Sequence, residues 1–201
     1  VPQRIKSTLP DTTLITCLRN PIDRIISSYL YRKRAGQTTL SFEKSIEQQP
    51  DLITDNFLGT HLNRYLSHFD RSQINILFYD DLDSNPVSFA KKLYEIIGVD
   101  SKFEPDIVNE KINPSAQAVV PGSEKIFRIA ADTLRKLGLF YILDSLKRNK
   151  SLRSIILKNV KKEDTTQIIS DSIRKMLLAK FIPEIEIVEK ITDRDLSNWK
   201  Q

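Results

Sequence analysis

A chain of 201 residues, 40% of them hydrophobic, is long enough for one domain over residues 1–201 with a single sizeable core, and its varied composition excludes long disordered stretches. Lysine and arginine number 31 against 26 aspartates and glutamates, a formal charge of +5 mixed with acidic residues, which suits an anionic small molecule as well as it suits nucleic acid and excludes a solid basic or acidic tail. Cys17 is the single cysteine and His61 and His68 are the two histidines, which excludes an intrachain disulfide and a Cys/His metal site, and no run of about 18 apolar residues is present to span a membrane; a cytoplasmic protein without a metal is the expectation.

In chain order, Thr13–Leu18 is a short apolar, β-branched run entered from Pro10-Asp11 and left at Arg19-Asn20-Pro21, the pattern of a buried strand with Cys17 in the core. Ile22–Arg34 follows as a helix, with Ile22, Ile25, Ile26, Tyr29 and Leu30 at helical spacing and Gly36 past its end. Ser41–Gln48 and Leu52–Phe69 also read as helices, a crossover long enough to bring a second strand, Ile74–Tyr79, parallel to the first. That strand runs into an acidic turn, Asp80–Asp83, and then into a helix, Pro86–Ile97, that stops at Gly98. Gly98–Gly122 carries Pro105, Pro114 and Pro121 with few periodic apolar positions and reads as a long surface loop or lid. Helical patterns resume at Glu124–Leu137, Phe140–Lys147, Leu152–Val160 and Thr166–Phe181, with a last short helix at Pro183–Thr192. The strongest basic stretch, Lys147–Lys162, interleaves Leu152, Ile155, Ile156 and Leu157, which fits a solvated amphipathic helix or else a polyanion or membrane-surface patch. The fold class is α/β, with few strands and a helix-rich carboxyl-terminal part.

The residues with most chemical content are Arg19-Asn20-Pro21-Ile22-Asp23-Arg24 and Ser27. Asn20 is a good N-cap, Pro21 suits the first helical position and Asp23 favours the helix dipole. Ligands of open parallel sheets sit beyond the carboxyl ends of strands, and a helix amino terminus there is expected to offer free N–H groups to an anion. Arg19 would project into that space, and Ser27, almost two helical turns after Asn20, would face it. Two readings stand: the Arg-Asn-Pro run is plain punctuation between strand and helix, or Arg19 and Ser27 form a phosphate clamp. Arg24 either lines the same crevice or pairs with Asp23 or Asp80.

Taken together, Pro2-Gln3-Arg4-Ile5, Leu9-Pro10-Asp11, Leu14-Ile15 and Leu18-Arg19-Asn20-Pro21-Ile22-Asp23-Arg24 with Ser27 and Tyr29 resemble the second cofactor motif of the PAPS-dependent sulfotransferases. Tyr79-Asp80-Asp81-Leu82, with Asn85-Pro86, Phe89, Leu93 and Ile97-Gly98-Val99, is similar to the Tyr-Glu-Asp-Leu segment of that family and the helix after it, and Asp193-Arg194-Asp195-Leu196-Ser197-Asn198-Trp199 resembles its usual ending. The resemblance implies a three-layer, parallel-sheet fold of the P-loop NTPase-like kind, incomplete at the amino terminus. It also implies PAPS (3′-phosphoadenosine 5′-phosphosulfate) as sulfuryl donor, with Arg19 and Ser27 on its 3′-phosphate and Lys111, in the long loop with Asn113 and Ser115, as a further contact. His61 falls after Gly59 where the family has an aromatic residue near the acceptor, so it is either a substrate contact or one of an ordinary surface pair with His68 on one helical face. Leu196 and Trp199 are expected to dock the carboxyl terminus. The five glycines, Gly36, Gly59, Gly98, Gly122 and Gly138, form no Gly-rich phosphate loop, and by resemblance neither that loop nor the catalytic base lies in this sequence; no catalytic residue is therefore assigned.

The function expected is transfer of a sulfuryl group from PAPS to a hydroxyl or amine of a small molecule, a lipid or a glycan. The alternative is a degenerate, non-catalytic domain of the same kind that binds an anionic ligand or a partner. A related P-loop kinase would need carboxylates placed to hold magnesium, and nucleic-acid binding is disfavoured because no strand alternates aromatic and basic residues.

Overall fold

The computed structural model describes residues 1–105, 108, 116–118, 133–134, 136–138, 141, 157–159 and 169–201. Its centre is a parallel pair of strands, β1 (Leu14–Leu18) and β2 (Ile74–Phe78), with Leu14 opposite Ile74 and Leu18 opposite Phe78. A parallel partner requires a long crossover. Residues between the strands supply it as α1's successors in order: α1 (Pro2–Thr8) precedes β1, and α2 (Pro21–Arg34), α3 (Phe42–Gln48), α4 (Asp51–Thr54) and α5 (Leu58–Leu66) follow. After β2 come α6 (Tyr79–Ser84) and α7 (Pro86–Ile97), which ends as expected at Gly98 in the left-handed conformation (φ 73°). A second pair, β3 (Ala116–Ala118) and β4 (Leu157–Asn159), is antiparallel, and a long helix, α8 (Asp171–Thr192), leads to a final 3-10 turn, Ser197–Lys200.

The described chain divides into two compact units. The first holds Val1–Arg24, Thr54–Ile112 and Arg174–Gln201, and the second Ile25–Ile53 and Asn113–Ile173. In the first, Leu18, Ile22, Leu62, Leu77 and Phe78 are buried, together with Leu177, Phe181, Ile185 and Val188 of α8. These four recur at helical spacing on both sides of Pro183, which lies inside α8. Burial of one continuous stripe outweighs the N–H that proline removes, so the two helices expected here are one. In the second unit, Tyr29 packs edge-on against Phe42 with ring centroids 5.3 Å apart, and its hydroxyl donates to Leu40 O at 3.0 Å. Ser41 caps α3 by accepting from Lys44 N.

Several expected elements change for identifiable reasons. The acidic segment after β2 is the helix α6, not an open turn, because Asp80 and Asp81 occupy its first turn, where carboxylates favour the helix dipole. The single helix Leu52–Phe69 is instead α4 and α5, separated at Asp55–Phe57, and His68 falls beyond the end of α5. β3 lies in the expected long loop and β4 in the expected helix Leu152–Val160; pairing with a strand about 40 residues away overrides local helical spacing. The expected helices at Glu124–Leu137 and Phe140–Lys147 and most of the basic stretch Lys147–Lys162 lie outside the described residues, apart from short fragments.

Helix α1 had no clear signal in the sequence, yet it ties down the entrances to both strands. Lys6 Nζ donates to Pro10 O at 2.8 Å and to Gln73 Oε1 at 2.9 Å, while Gln73 Nε2 donates to Pro10 O at 2.8 Å. Helix α5 is fixed on α8 in a similar way. Thr60 N and Thr60 Oγ1 donate to the two carboxylate oxygens of Glu184, at 2.7 and 2.6 Å. The close approach depends on Gly59, where an added Cβ would stand 2.6 Å from Ile187 Cβ and 2.7 Å from Glu184 O. Gly59→Ala is expected to destabilise the chain by about 1–3 kcal/mol, read as a lower urea midpoint, because neither backbone oxygen nor β-branched carbon can yield cheaply.

Candidate functional site

The register of the parallel pair ends at Leu18 opposite Phe78, so the next residues, Arg19 and Tyr79, leave the sheet side by side at its carboxyl edge. The Arg19 guanidinium lies over the Tyr79 ring, 4.6 Å from its centroid, and Arg19 Nε is buried without a hydrogen-bond partner. A buried donor left unpaired costs about 1–3 kcal/mol, which a ligand acceptor would recover. Guanidinium chemistry favours a phosphate or a sulfate in that role.

Asn20 caps α2 as expected, its Oδ1 accepting from Ile22 N at 2.9 Å and from Asp23 N at 3.4 Å. Pro21 has no N–H, and Arg24 N donates to Asn20 O at 2.9 Å. The first turn of α2 therefore has no spare N–H, contrary to the expectation that it offers free donors to an anion. An anion at this strand end depends on side chains.

Arg24 pairs with neither Asp23 nor Asp80. Its Nη1 donates to Asp55 O at 2.5 Å and to Oδ1 of the buried Asn56 at 2.9 Å, in the break between α4 and α5. That break replaces the expected helix because a carbonyl turned toward Arg24 is withdrawn from the helical ladder. Arg19, Arg24, Asp55 and His61 together line a pocket of about 340 Å³ whose walls include Leu58 and Leu62. His61 Nε2 lies 2.9 Å from Thr54 O, the geometry of a donated N–H, which leaves Nδ1 as an acceptor in the neutral ring. With His68 outside α5, the surface pair on one helical face is not formed.

Ser27 belongs to the second unit, where it lines a depression with Ser28, Tyr31, Arg32 and Gln37. Lys111, Asn113 and Ser115 lie outside the described residues. Among the described residues no group of three or more His, Cys, Asp or Glu side chains is placed to hold a metal ion, and no helix is long and apolar enough to cross a membrane.

Cys17 is not a core residue. β1 has one strand neighbour among the described residues, and its side chains alternate, leaving Ile15 and Cys17 exposed. Partial desolvation of the thiol, and then the negative charges of Asp81 and Asp80, hold its pKa above the ordinary value. The same two carboxylates engage the carboxyl terminus. Asp81 accepts both guanidinium nitrogens of Arg194, at 2.8 and 2.7 Å, and Asp80 accepts the Trp199 indole N–H at 2.7 Å. Trp199 and Leu196 are each 1% exposed, so they dock the terminus as expected, and no face of the indole is open to stack on a nucleotide base. Tyr79 and Arg194 carried no role in the sequence reading beyond their motifs, and Asp80 only that of a partner for Arg24; the usable signal was that residues following two parallel strands must be neighbours.

An arginine with an unpaired buried donor stands at the carboxyl edge of a parallel strand pair, beside a mixed apolar and basic pocket, in an α/β protein. A family model described as Sulfotransferase domain matches residues 2–120, more than half of the chain, and the chain belongs to the sulfotransferase family. Among curated relatives, the human bifunctional heparan sulfate N-deacetylase/N-sulfotransferase 2 is 26% identical over 116 residues, 49% of this chain and 13% of that protein. The corresponding enzyme 1 of Xenopus laevis is 24% identical over 117 residues, 51% of this chain and 13% of that protein. The crystal structure of a sulfotransferase from Alicyclobacillus acidocaldarius covers the whole chain at a TM-score of 0.63 and 20% identity, a likeness of fold, and the chain covers 62% of it. The chain thus spans about an eighth of the length of these curated relatives.

Two outcomes test this geometry. Asn20→Ala is expected to lower stability by about 0.5–2 kcal/mol in thermal unfolding, because Oδ1 serves two of the first N–H groups of α2. Cys17 is expected to react with a disulfide reagent at half its limiting rate at a higher pH than a free thiol, and the double change Asp80→Asn, Asp81→Asn to move that midpoint down. A midpoint at or below that of a free thiol would contradict the field assigned to the two carboxylates.

Proposed function

We propose that this chain forms the donor-binding side of a sulfotransferase that moves a sulfuryl group from PAPS to a hydroxyl or amine, with Arg19 as the main contact to the 3′-phosphate. The observation that supports it most is the buried, unpaired Nε of Arg19 at the carboxyl edge of the parallel pair. A phosphate would supply the missing acceptor and allow two parallel hydrogen bonds to the guanidinium. Ser27, by its place in the family motif, and Lys111, by its place in the long loop, are carried as further candidate contacts to the donor. His61 is assigned to the acceptor side, because it lines the same pocket as Arg19 and keeps one ring nitrogen as an acceptor. Of the acceptor classes a small molecule, a lipid and a glycan, the names of the relatives, heparan sulfate N-sulfotransferases, favour a glycan amine.

In the transfer, an acceptor oxygen or nitrogen bonds to sulfur as the bond from sulfur to the 5′-phosphate oxygen breaks. The acceptor loses its proton, and adenosine 3′,5′-bisphosphate leaves with its 3′-phosphate unchanged. Arg19 grips a part of the donor that is the same before, during and after the reaction. Its binding energy is therefore uniform along the reaction and belongs to affinity rather than to the chemical step.

Calorimetric titration with adenosine 3′,5′-bisphosphate isolates that contact. The folded chain is expected to bind it, Arg19→Ala to weaken binding at least about 30-fold, and Ser27→Ala by a smaller factor. Absence of binding by the folded chain and by the longest reading frame that contains it would overturn the assignment. Binding that Arg19→Ala leaves unchanged would place the phosphate elsewhere.

A further inference from the structure

The tyrosine beneath Arg19, Tyr79, is followed in the chain by two carboxylates, Asp80 and Asp81. Their charges reach Cys17 near the end of β1. A free carboxylate within reach of an arginine pairs with it and fills the place an anionic ligand would take. Both carboxylates are instead taken by the carboxyl-terminal segment. Asp193 adopts a left-handed conformation (φ 51°) just past the end of α8, turning the chain so that Arg194 makes two hydrogen bonds to Asp81 and Trp199 one to Asp80.

The same segment also grips the end of β2. The Arg194 guanidinium lies over the Phe78 ring at 4.1 Å, and the Trp199 ring packs beside Phe78 at 5.9 Å. Trp199 O is in addition 3.5 Å from Asn20 Nδ2, next to Arg19 in sequence. The segment therefore holds the residue before Tyr79, the two residues after it, and the residue after Arg19.

We propose that Arg194 and Trp199 are positioning residues that keep Arg19 available to a phosphate, by occupying Asp81 and Asp80 and fixing Tyr79 beneath the guanidinium. This rests on the reading of Arg19 as a phosphate ligand. Removing Arg194 frees a carboxylate beside the anion site, and removing that carboxylate as well restores the site. A purely structural contact behaves differently, because deleting its second partner restores nothing.

The probe is adenosine 3′,5′-bisphosphate, titrated by calorimetry into the wild-type chain, Arg19→Ala, Arg194→Ala, Asp81→Asn and the double variant Arg194→Ala, Asp81→Asn, each checked for folding by circular dichroism. Arg194→Ala is expected to weaken binding roughly tenfold and the double variant to regain most of it. Trp199 is the single tryptophan, so its emission gives a second signal: the probe is expected to shift it in the wild type and not in Arg19→Ala. Tyr79→Leu, which leaves the carboxylates paired, is expected to weaken binding while folding normally. If the wild type binds through Arg19 but Arg194→Ala binds equally well, or the double variant is no better than the single, the positioning role is wrong and the phosphate reading stands. If the wild type does not bind, or Arg19→Ala binds as tightly, the phosphate reading fails and the positioning role with it.

Discussion

Parallel pairing of β1 with β2 is the constraint on which the site depends. Parallel strands have their carboxyl ends at one edge, so a register with Leu18 opposite Phe78 leaves no freedom in what comes next: Arg19 must emerge beside Tyr79. The register in turn is held at the opposite end, where Lys6 and Gln73 tie Pro10 to the start of β2. A slip of one residue would turn the alternating side chains over and place Leu18 or Asn20 at the edge instead. The proposed anion site is thus a property of strand registration first and of any loop conformation second.

The cap on α2 decides what kind of site it is. A helix amino terminus at a strand end commonly binds phosphate through free N–H groups. Here Asn20 has taken those groups, and Pro21 has none to give. The cap stabilises the helix at the cost of its use as an anion cradle. Specificity then falls to the guanidinium, which selects for paired oxygens on phosphate or sulfate more sharply than a row of amides would.

Much of this was legible in the sequence where short-range rules apply. Pro86 and Gly98 bound α7, Asn20 and Pro21 start α2, and two apolar runs separated by helices imply a parallel pair. What was not legible depends on partners distant in sequence. The break at Asp55–Phe57 exists because Arg24, 31 residues earlier, takes the Asp55 carbonyl. Helix α8 survives Pro183 because four buried side chains outweigh one lost N–H, a comparison that needs the burial to be known. Cys17 looked like core because TCL is apolar, but exposure depends on how many neighbours a strand has, and composition is silent on that. Arg19 was found by its neighbours in the chain, whereas Tyr79 beneath it was named only as part of a motif.

The remaining question is why an acidic pair should stand beside an anion site at all. A guanidinium with no nearby negative charge would bind any anion in solution, and one with a free carboxylate would bind none. Asp80 and Asp81 are engaged by an indole N–H and a second guanidinium, so the charge of Asp81 is balanced by Arg194 while Asp80 accepts from a neutral donor. The Arg194 hydrogen bond holds the Asp81 carboxyl below its ordinary range, which keeps the pair charged well into acid, and the contribution is lost only as pH falls through that lowered value. The pair is over a third exposed on the Asp81 side, so it contributes less than about 1 kcal/mol to stability. Its weight lies in geometry. A weak, exposed ion pair is a poor source of stability and a sufficient means of keeping one carboxylate away from one arginine, which is the role that its position at the end of β2 requires.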